Sequence, residues 1–149
     1  MIEAPAGTHP IDGIVSTRSP LSVAATAERL ATLIGAAGAT LFGVIDQSAE
    51  AEQAGLSLRA TKLVIFGSPA AGTPVMVAAP LAALDLPLKI LVWEDDESAV
   101  WMSYLDPAWL AARHGLTGPL AAPLSAPVKL ASGVMDWPAC GVPTSPEPT

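Results

Sequence analysis

The sequence has few charged side chains for its length. Lys, Arg, Asp and Glu make up 14% of its 149 residues, whereas soluble domains average about 25%. A monomer so poor in charge has difficulty covering its surface with polar groups. We therefore expect part of the surface to be buried against a second copy of the chain, most simply in a two-fold homodimer.

Basic side chains are the scarcer kind of charge. The chain has 7 Lys and Arg against 14 Asp and Glu, which gives a formal net charge of −7. Binding to a phosphate backbone needs clustered Lys and Arg. We expect no nucleic-acid partner.

Cysteine and histidine are also scarce. The single cysteine, Cys140, cannot form an internal disulfide or a cysteine metal cluster, so we predict no metal site and a cytoplasmic location. It is also a poor nucleophile, because no activating neighbour accompanies it. The two histidines are His9 and His114, and no Gly-x-Ser-x-Gly motif is present, so a serine-hydrolase arrangement has little support.

The sequence lacks a continuous membrane-spanning run. The uncharged segment Leu63 to Leu84 is long enough to cross a bilayer of about 30 Å, but three prolines and two glycines interrupt it. Backbone groups left unpaired at those breaks would be costly in lipid. No basic region precedes an apolar run near the N-terminus, so we predict no signal peptide and no membrane partner.

The most structured pattern runs from Leu63 to Val92. Its first part, Lys62 to Phe66, is rich in β-branched and aromatic residues, which is typical of a buried strand. A turn is predicted over Gly67 to Gly72, because glycine adopts positive φ and Pro69 fixes φ.

A helix is predicted directly after this turn. Thr73 has the side chain of an N-cap residue and Pro74 suits the first helical position. The helix is nearly uncharged, so we expect it to be buried on most sides, and we expect Pro80 to kink or divide it. Leu88 to Trp93 then forms the partner strand, which completes a compact α/β unit.

The remaining elements follow from periodicity and from turn residues. The predicted strands are Ile11–Thr17, Thr40–Ile45 and Ala99–Tyr104. The predicted helices are Leu21–Ala37, Ala49–Ala54, Ala108–His114 and Ser125–Asp136. Residues 11–136 are predicted to form a single domain, between a loose arm at 1–10 and a disordered, proline-rich tail at 137–149.

Four ordered motifs resemble a known family. They are FGSPAAGTPVM, LDLPLKILVWED, VWMSYLDP and LAARHGL, and the similarity to the family called domain of unknown function 302 covers roughly Ile11 to Leu116. The resemblance implies an α+β fold, a two-layer α/β sandwich similar to the TATA-binding-protein arrangement and often dimeric. We expect an antiparallel-rich sheet of about five strands with helices packed on one face. The family carries no established activity.

The sequence departs from the family at three positions where members commonly have a polar or basic residue. Gln47 stands where members commonly have a histidine, and Ser68 and Ala70 stand where they commonly have asparagine and lysine. The histidine and the lysine would be the best ligand, base or anion-pairing side chains. Their replacement weakens an enzymatic interpretation.

Three groups of residues are candidate sites. Gly67, Gly72 and Thr73 have the spacing of a phosphate loop, but the lysine is missing and Pro69 and Pro74 remove two backbone donors. The segment is therefore either an anion-binding nest, with Ser68 included, or a structural turn.

The second candidate is acidic. Asp46, Asp85 and Tyr104 could meet near the glycine turn, where a buried carboxylate would have a raised pKa and act as an acid or base. The alternative is that both aspartates have capping and turn roles.

The run Glu94 to Glu97 has oxygens enough for a cation but no ligand spacing, so a solvated turn is predicted.

The third candidate is aromatic. Trp93 and Trp101 are predicted to lie on one hairpin, where they either pack in the core or line an apolar pocket.

Together these observations predict a non-catalytic, dimeric domain that binds a small, partly apolar or anionic ligand near residues 67–73. The sequence identifies no cofactor. Two alternatives are a small enzyme that uses Asp46, Asp85 or Tyr104 for proton transfer, and a subunit that contacts another protein through its apolar face and proline-rich tail. The predicted ligand-binding residues are Asp46, Gly67, Ser68, Gly72, Thr73, Asp85 and Tyr104.

Overall fold

Five strands form one antiparallel sheet in a computed structural model, which describes residues 11–136. The predicted arm at 1–10 and tail at 137–149 lie outside the described residues. The strands are β1 Ile14–Arg18, β2 Thr40–Asp46, β3 Thr61–Gly67, β4 Leu88–Glu94 and β5 Val100–Leu105. Their order across the sheet is β1-β5-β4-β3-β2, so β1 and β2 are the edges. The prediction of about five antiparallel strands is confirmed.

Residues 11–136 also form five α-helices and three 3-10 segments. The helices are α1 Val23–Ala36, α2 Gln47–Gln53, α3 Pro69–Ala78, α4 Pro107–His114 and α5 Ala126–Met135. The 3-10 segments are Pro80–Leu84, Gly118–Leu120 and Ala122–Ser125. No helix of residues 11–136 is both long enough and apolar enough to cross a membrane.

The core lies between one face of the sheet and helices α1 and α5. Residues alternate along each strand, so Val64 and Phe66 on β3 face the same side as Ile90 and Val92 on β4. All four are buried, and they pack with α1 residues such as Leu30 in one apolar cluster. This arrangement is the two-layer sandwich that the sequence predicted.

The hairpin between β4 and β5 is built around Asp95. One carboxylate oxygen accepts from the backbone N–H groups of Glu97 and Ala99, at 3.0 and 2.9 Å. The other accepts from the indole Nε1 of Trp101 at 2.9 Å. This indole bond is the main reason that the pKa of Asp95 lies below its ordinary value. The acidic run is therefore a turn, as predicted, although Asp95 is buried and not solvated.

The predicted start of α3 is wrong. The helix begins at Pro69, and Ser68 is the N-cap, whose hydroxyl accepts from the backbone N–H of Ala71 at 3.3 Å. Gly72 lies inside the helix, and neither it nor Gly67 has a positive φ, so the predicted glycine turn does not form. Ser68-Pro69 carries the same cap-and-proline signal as Thr73-Pro74, five residues earlier, and the earlier signal starts the helix.

The predicted burial of α3 is also wrong. Val75 is its one buried residue, while Val77 is 77% exposed and Leu81 and Leu84, in the following 3-10 segment, are 72% and 74% exposed. Pro80 does divide the helix as predicted, since Pro80–Leu84 is a 3-10 turn. Because α3 packs mainly through Val75, its apolar composition does not make it a core helix.

Other boundaries move by a few residues. Helix α1 begins at Val23 with Ser22 as its N-cap, two residues after the predicted start at Leu21. Ser19 is buried, and its hydroxyl lies 2.6 Å from that of Thr26. Helix α4 ends at Gly115, with φ of +64°, as predicted.

Candidate functional site

A cleft of about 410 Å³ opens at one end of the sheet. Its floor is formed where β3 ends and β4 begins, at Phe66 and Leu88, which are register partners. Phe42 of the edge strand β2 lies on one side. The volume falls within the range of about 300–1,000 Å³ that is typical of small-molecule pockets.

Helices close the rest of the cleft. Helix α3 forms one wall through Pro69, Ala71 and Val75, and the C-terminal part of α1 contributes Ile34. Helix α5 forms the opposite wall through Leu130, with Lys129 beside it.

The lining of the cleft is apolar. In the part of the chain that the structure describes, Ser68, Thr73 and Lys129 are the only lining residues with polar side chains. The hydroxyl of Ser68 already caps α3. Such a lining favours an apolar ligand and offers few groups for orienting a polar one.

Four of the predicted ligand-binding residues lie in this cleft. Gly67, Ser68, Gly72 and Thr73 all line it along the β3–α3 junction. They do so as the end of a strand and the first turns of a helix, and not as a loop that cradles phosphate. A Cβ at Gly67 would lie 3.4 Å from the ring of Phe42, whereas a Cβ at Gly72 would meet nothing within 4 Å.

Asp46 lies at the far end of the sheet from this cleft. It pairs with Lys62 in the β2–β3 register, while Phe66 and Leu88 meet at the cleft end. Four residues along β3 separate the two positions by about 13 Å.

The surroundings of Asp46 make it a helix cap. Its Oδ1 accepts from the Ser48 hydroxyl at 2.6 Å and from the Ala49 N–H at 2.9 Å. The Ser48 bond is the main cause that places the pKa of Asp46 below its ordinary value. This is opposite to the raised pKa that the acid–base interpretation requires.

Asp85 holds together two other segments. Its Oδ2 lies 2.6 Å from Nε2 of His114 and 3.0 Å from Nε of Arg113. The His114 side chain is only 8% exposed. Asp85 therefore joins the entry to β4 to the end of α4, and neither it nor His114 lines the cleft.

Tyr104 is a core residue. It is 7% exposed and belongs to the apolar cluster between the sheet and α1. Burial raises the pKa of its phenol, against a smaller opposing effect of Thr17. The structure thus does not bring Asp46, Asp85 and Tyr104 together.

The tryptophans of the hairpin are not in the cleft either. Trp93 and Trp101 are register partners across β4 and β5. Trp93 donates its Nε1–H to the Ser103 hydroxyl at 2.8 Å, and the guanidinium of Arg18 lies 5.3 Å from the Trp101 ring centre. The sequence left open whether these tryptophans pack within the protein or line an apolar pocket, and their surroundings fit packing.

The sequence prediction missed the α5 wall of the cleft. Pro123, Leu124 and Lys129 come from a segment beyond the family motifs, and nothing local in that segment indicates that it reaches the end of β3. Its one sequence signal was the apolar stripe of the predicted helix Ser125–Asp136. No group of three or more His, Cys, Asp or Glu side chains suited to a metal ion occurs within residues 11–136.

The fold and the cleft define a small two-layer α+β domain with a ligand-sized apolar cleft at one end of its sheet. The chain belongs to the family described as Domain of unknown function DUF302, whose model matches residues 15–128. A crystal structure of an uncharacterized conserved DUF302 protein from Bacillus stearothermophilus has the same fold. It superposes with a TM-score of 0.69 at 15% identity and covers 85% of this chain and 98% of that chain.

Curated relatives are similar to most of this chain. The chain is 45% identical over 104 residues to a protein named fluoride-specific ion channel FluC 1 from Brucella suis, which covers 70% of this chain and 41% of that protein. The same identity is found with FluC 1 of Brucella abortus, of which 38% is covered. The chain thus spans about two-fifths of the length of these relatives.

Proposed function

We propose that this chain is a non-catalytic domain that binds a small, largely apolar ligand in the cleft beside residues 67–73. The observation that carries the proposal is the 410 Å³ cleft with three polar side chains among its described lining residues. Transfer of an apolar ligand into such a space is favourable by roughly 25 cal/mol for each Å² of apolar surface removed from water. A ligand that fills the cleft therefore gains affinity mainly from burial.

The geometry favours binding over acid–base catalysis. A general acid or base must lie within hydrogen-bond reach of the reacting group. Asp46 and Asp85 each have a separate partner, Tyr104 is buried in the core, and none of the three lines the cleft. Within the described residues Lys129 is the one lining side chain that titrates.

We further propose that the domain forms a homodimer through the edge strand β2. Residues Thr40 to Ile45 carry no charge, and Leu41, Phe42, Val44 and Ile45 are 39–53% exposed. An edge strand with a single charge, at its last residue Asp46, presents unpaired backbone groups that a second copy can satisfy about a two-fold axis.

A cavity-filling variant tests the ligand site. Ala71→Phe places an aromatic ring in the cleft, whereas Ala70→Phe places the same ring on an exposed position of α3 that does not line it. The neutral probe N-phenyl-1-naphthylamine gains fluorescence on entering an apolar site. We expect the unmodified protein and Ala70→Phe to bind it and Ala71→Phe to lose at least about tenfold in affinity, which corresponds to about 1.4 kcal/mol.

Two results would contradict the proposal. One is the absence of probe binding to the folded, unmodified protein. The other is equal binding by both variants, which would place the probe elsewhere. Far-ultraviolet circular dichroism of each variant confirms that the comparison is between folded proteins.

A further inference from the structure

The charge in the cleft is of one sign. Lys129 on α5 is the single charged side chain among its described lining residues, although the chain carries twice as many acidic as basic side chains. Among residues 11–136, Lys129 takes part in no ion pair, whereas Arg59, Lys62 and Arg113 each pair with a carboxylate. Lys129 is therefore an exposed lining residue whose ammonium has no carboxylate partner among the described residues.

The N-terminus of α3 adds a second positive electrostatic contribution in the cleft. Ser68 and Pro69, at the N-terminal end of α3, also line it. The N-terminus of a helix carries a partial positive charge, which favours a negative group nearby. The two walls, α3 and α5, thus both favour an anion, and no carboxylate lines the cleft in the described part of the chain.

We infer that the ligand is a single-chain carboxylic acid, with its hydrocarbon chain among Phe66, Val75 and Leu130 and its carboxylate at the ammonium of Lys129. This inference rests on the proposed function and specifies its ligand class. A carboxylate carries one negative charge, which one lysine neutralises. A phosphate monoester carries a second charge, for which the described lining residues offer no further basic side chain.

The size of the cleft indicates the chain length. A volume of 410 Å³ corresponds to roughly fourteen water molecules at about 30 Å³ each. A methylene group is of similar size to a water molecule, so a ten-carbon chain with its carboxylate lies within this limit. Decanoate is therefore the probe for the test, and decanol is the matched neutral compound.

The test compares how each compound displaces N-phenyl-1-naphthylamine from the unmodified protein and from Lys129→Gln. We expect Lys129→Gln to lower the affinity for decanoate about fivefold, which corresponds to the upper end of the energies of exposed ion pairs. The affinity for decanol should change less than twofold. Lys129→Glu should weaken decanoate further. Arg59→Gln, which removes a cation that pairs with Glu94 away from the cleft, should change neither compound.

Salt concentration gives a second readout. Raising it from 50 to 500 mM should lower the affinity for decanoate but not the affinity for decanol, because salt screens the interaction between charges. Equal affinity of decanoate for the unmodified protein and Lys129→Gln, with decanol and the probe still bound, would overturn the inference and leave the proposed function intact. Failure of the probe and both compounds to bind the unmodified protein would overturn the proposed function and the inference with it.

Discussion

At the scale of single residues, the aspartates that the sequence analysis considered as acids or ligands have structural roles. Asp46 caps α2, Asp95 organises the β4–β5 turn, and Asp85 joins β4 to α4. Each carboxylate was a candidate acid or ligand because sequence alone does not show which donors surround an acid. The predicted helix Ala108–His114 placed His114 correctly at the end of α4, but only the tertiary structure shows that its side chain is bonded to Asp85.

Removal of the Asp85 carboxylate should destabilise the protein. Asp85→Ala leaves the nearly buried His114 without its acceptor and removes the partner of Arg113. A buried group left without a hydrogen bond costs about 1–3 kcal/mol. We expect the free energy of unfolding, measured by urea denaturation, to fall by that amount.

The matched control for this prediction is Asp96→Ala, in the exposed part of the β4–β5 turn. Its effect should stay within about 0.5 kcal/mol. Equal destabilisation by the two variants would show that the Asp85 cluster contributes nothing specific.

At the scale of secondary-structure elements, local signals predicted most of the fold. The strands β3 and β4 and the glycine-terminated helix α4 were predicted closely, because alternation, caps and positive-φ glycines act within a few residues of each other. The start of α3 was not predicted, because Ser68-Pro69 and Thr73-Pro74 are equivalent local signals. The choice between them depends on packing at the end of β3.

Gly13 shows how an element can depend on one backbone position. It precedes β1 with φ of +85°, and a Cβ there would lie 2.5 Å from Cδ2 of Trp109. Gly38 has a similar φ of +74° but open space around it. Alanine substitutions at the two positions therefore distinguish the energetic cost of the left-handed conformation from the cost of the steric clash with Trp109.

We expect both glycine variants to lose stability, by different amounts. Gly38→Ala should lose about 1–2 kcal/mol through the left-handed conformation alone. Gly13→Ala should lose about 1–3 kcal/mol more, because it also forces the Trp109 ring to move. Urea denaturation measures both, and equal losses would show that the ring of Trp109 yields without cost.

At the scale of the whole molecule, the cleft is a product of chain topology. It brings together residues from Ile34 to Leu130, so that the elements α1, β2, β3, α3, β4 and α5 meet at one end of the sheet. The sequence located one wall, at residues 67–73, because the β3–α3 junction is local. It could not locate Lys129, because the docking of α5 depends on contacts with α1 and the sheet.

The low charge of the chain leads to a prediction at the same scale. If β2 pairs with a second copy, a lysine on that edge should separate the copies. Ile45→Lys, at a position 42% exposed on β2, should sediment as a monomer, while the unmodified protein sediments at about twice the 15.1 kDa of one chain.

Ile14→Lys is the matched control for the dimer, because Ile14 is 43% exposed on the other edge strand. We expect it to sediment as the unmodified protein does. If the unmodified protein sediments as a monomer, or if both variants sediment as dimers, the proposal that β2 forms the interface is wrong.

The most direct test of ligand binding uses the methyl groups of methionine. Met76 lines the cleft, Met102 is fully buried in the core and Met135 is 40% exposed near the end of α5. A protein labelled with ¹³C at the methionine methyls would be titrated with decanol, with Met76→Leu used to assign the signal. A saturable shift of the Met76 signal, with the Met102 and Met135 signals unmoved, is the predicted result. A Met76 signal that stays in place while the Met135 signal shifts would contradict a ligand site in the cleft.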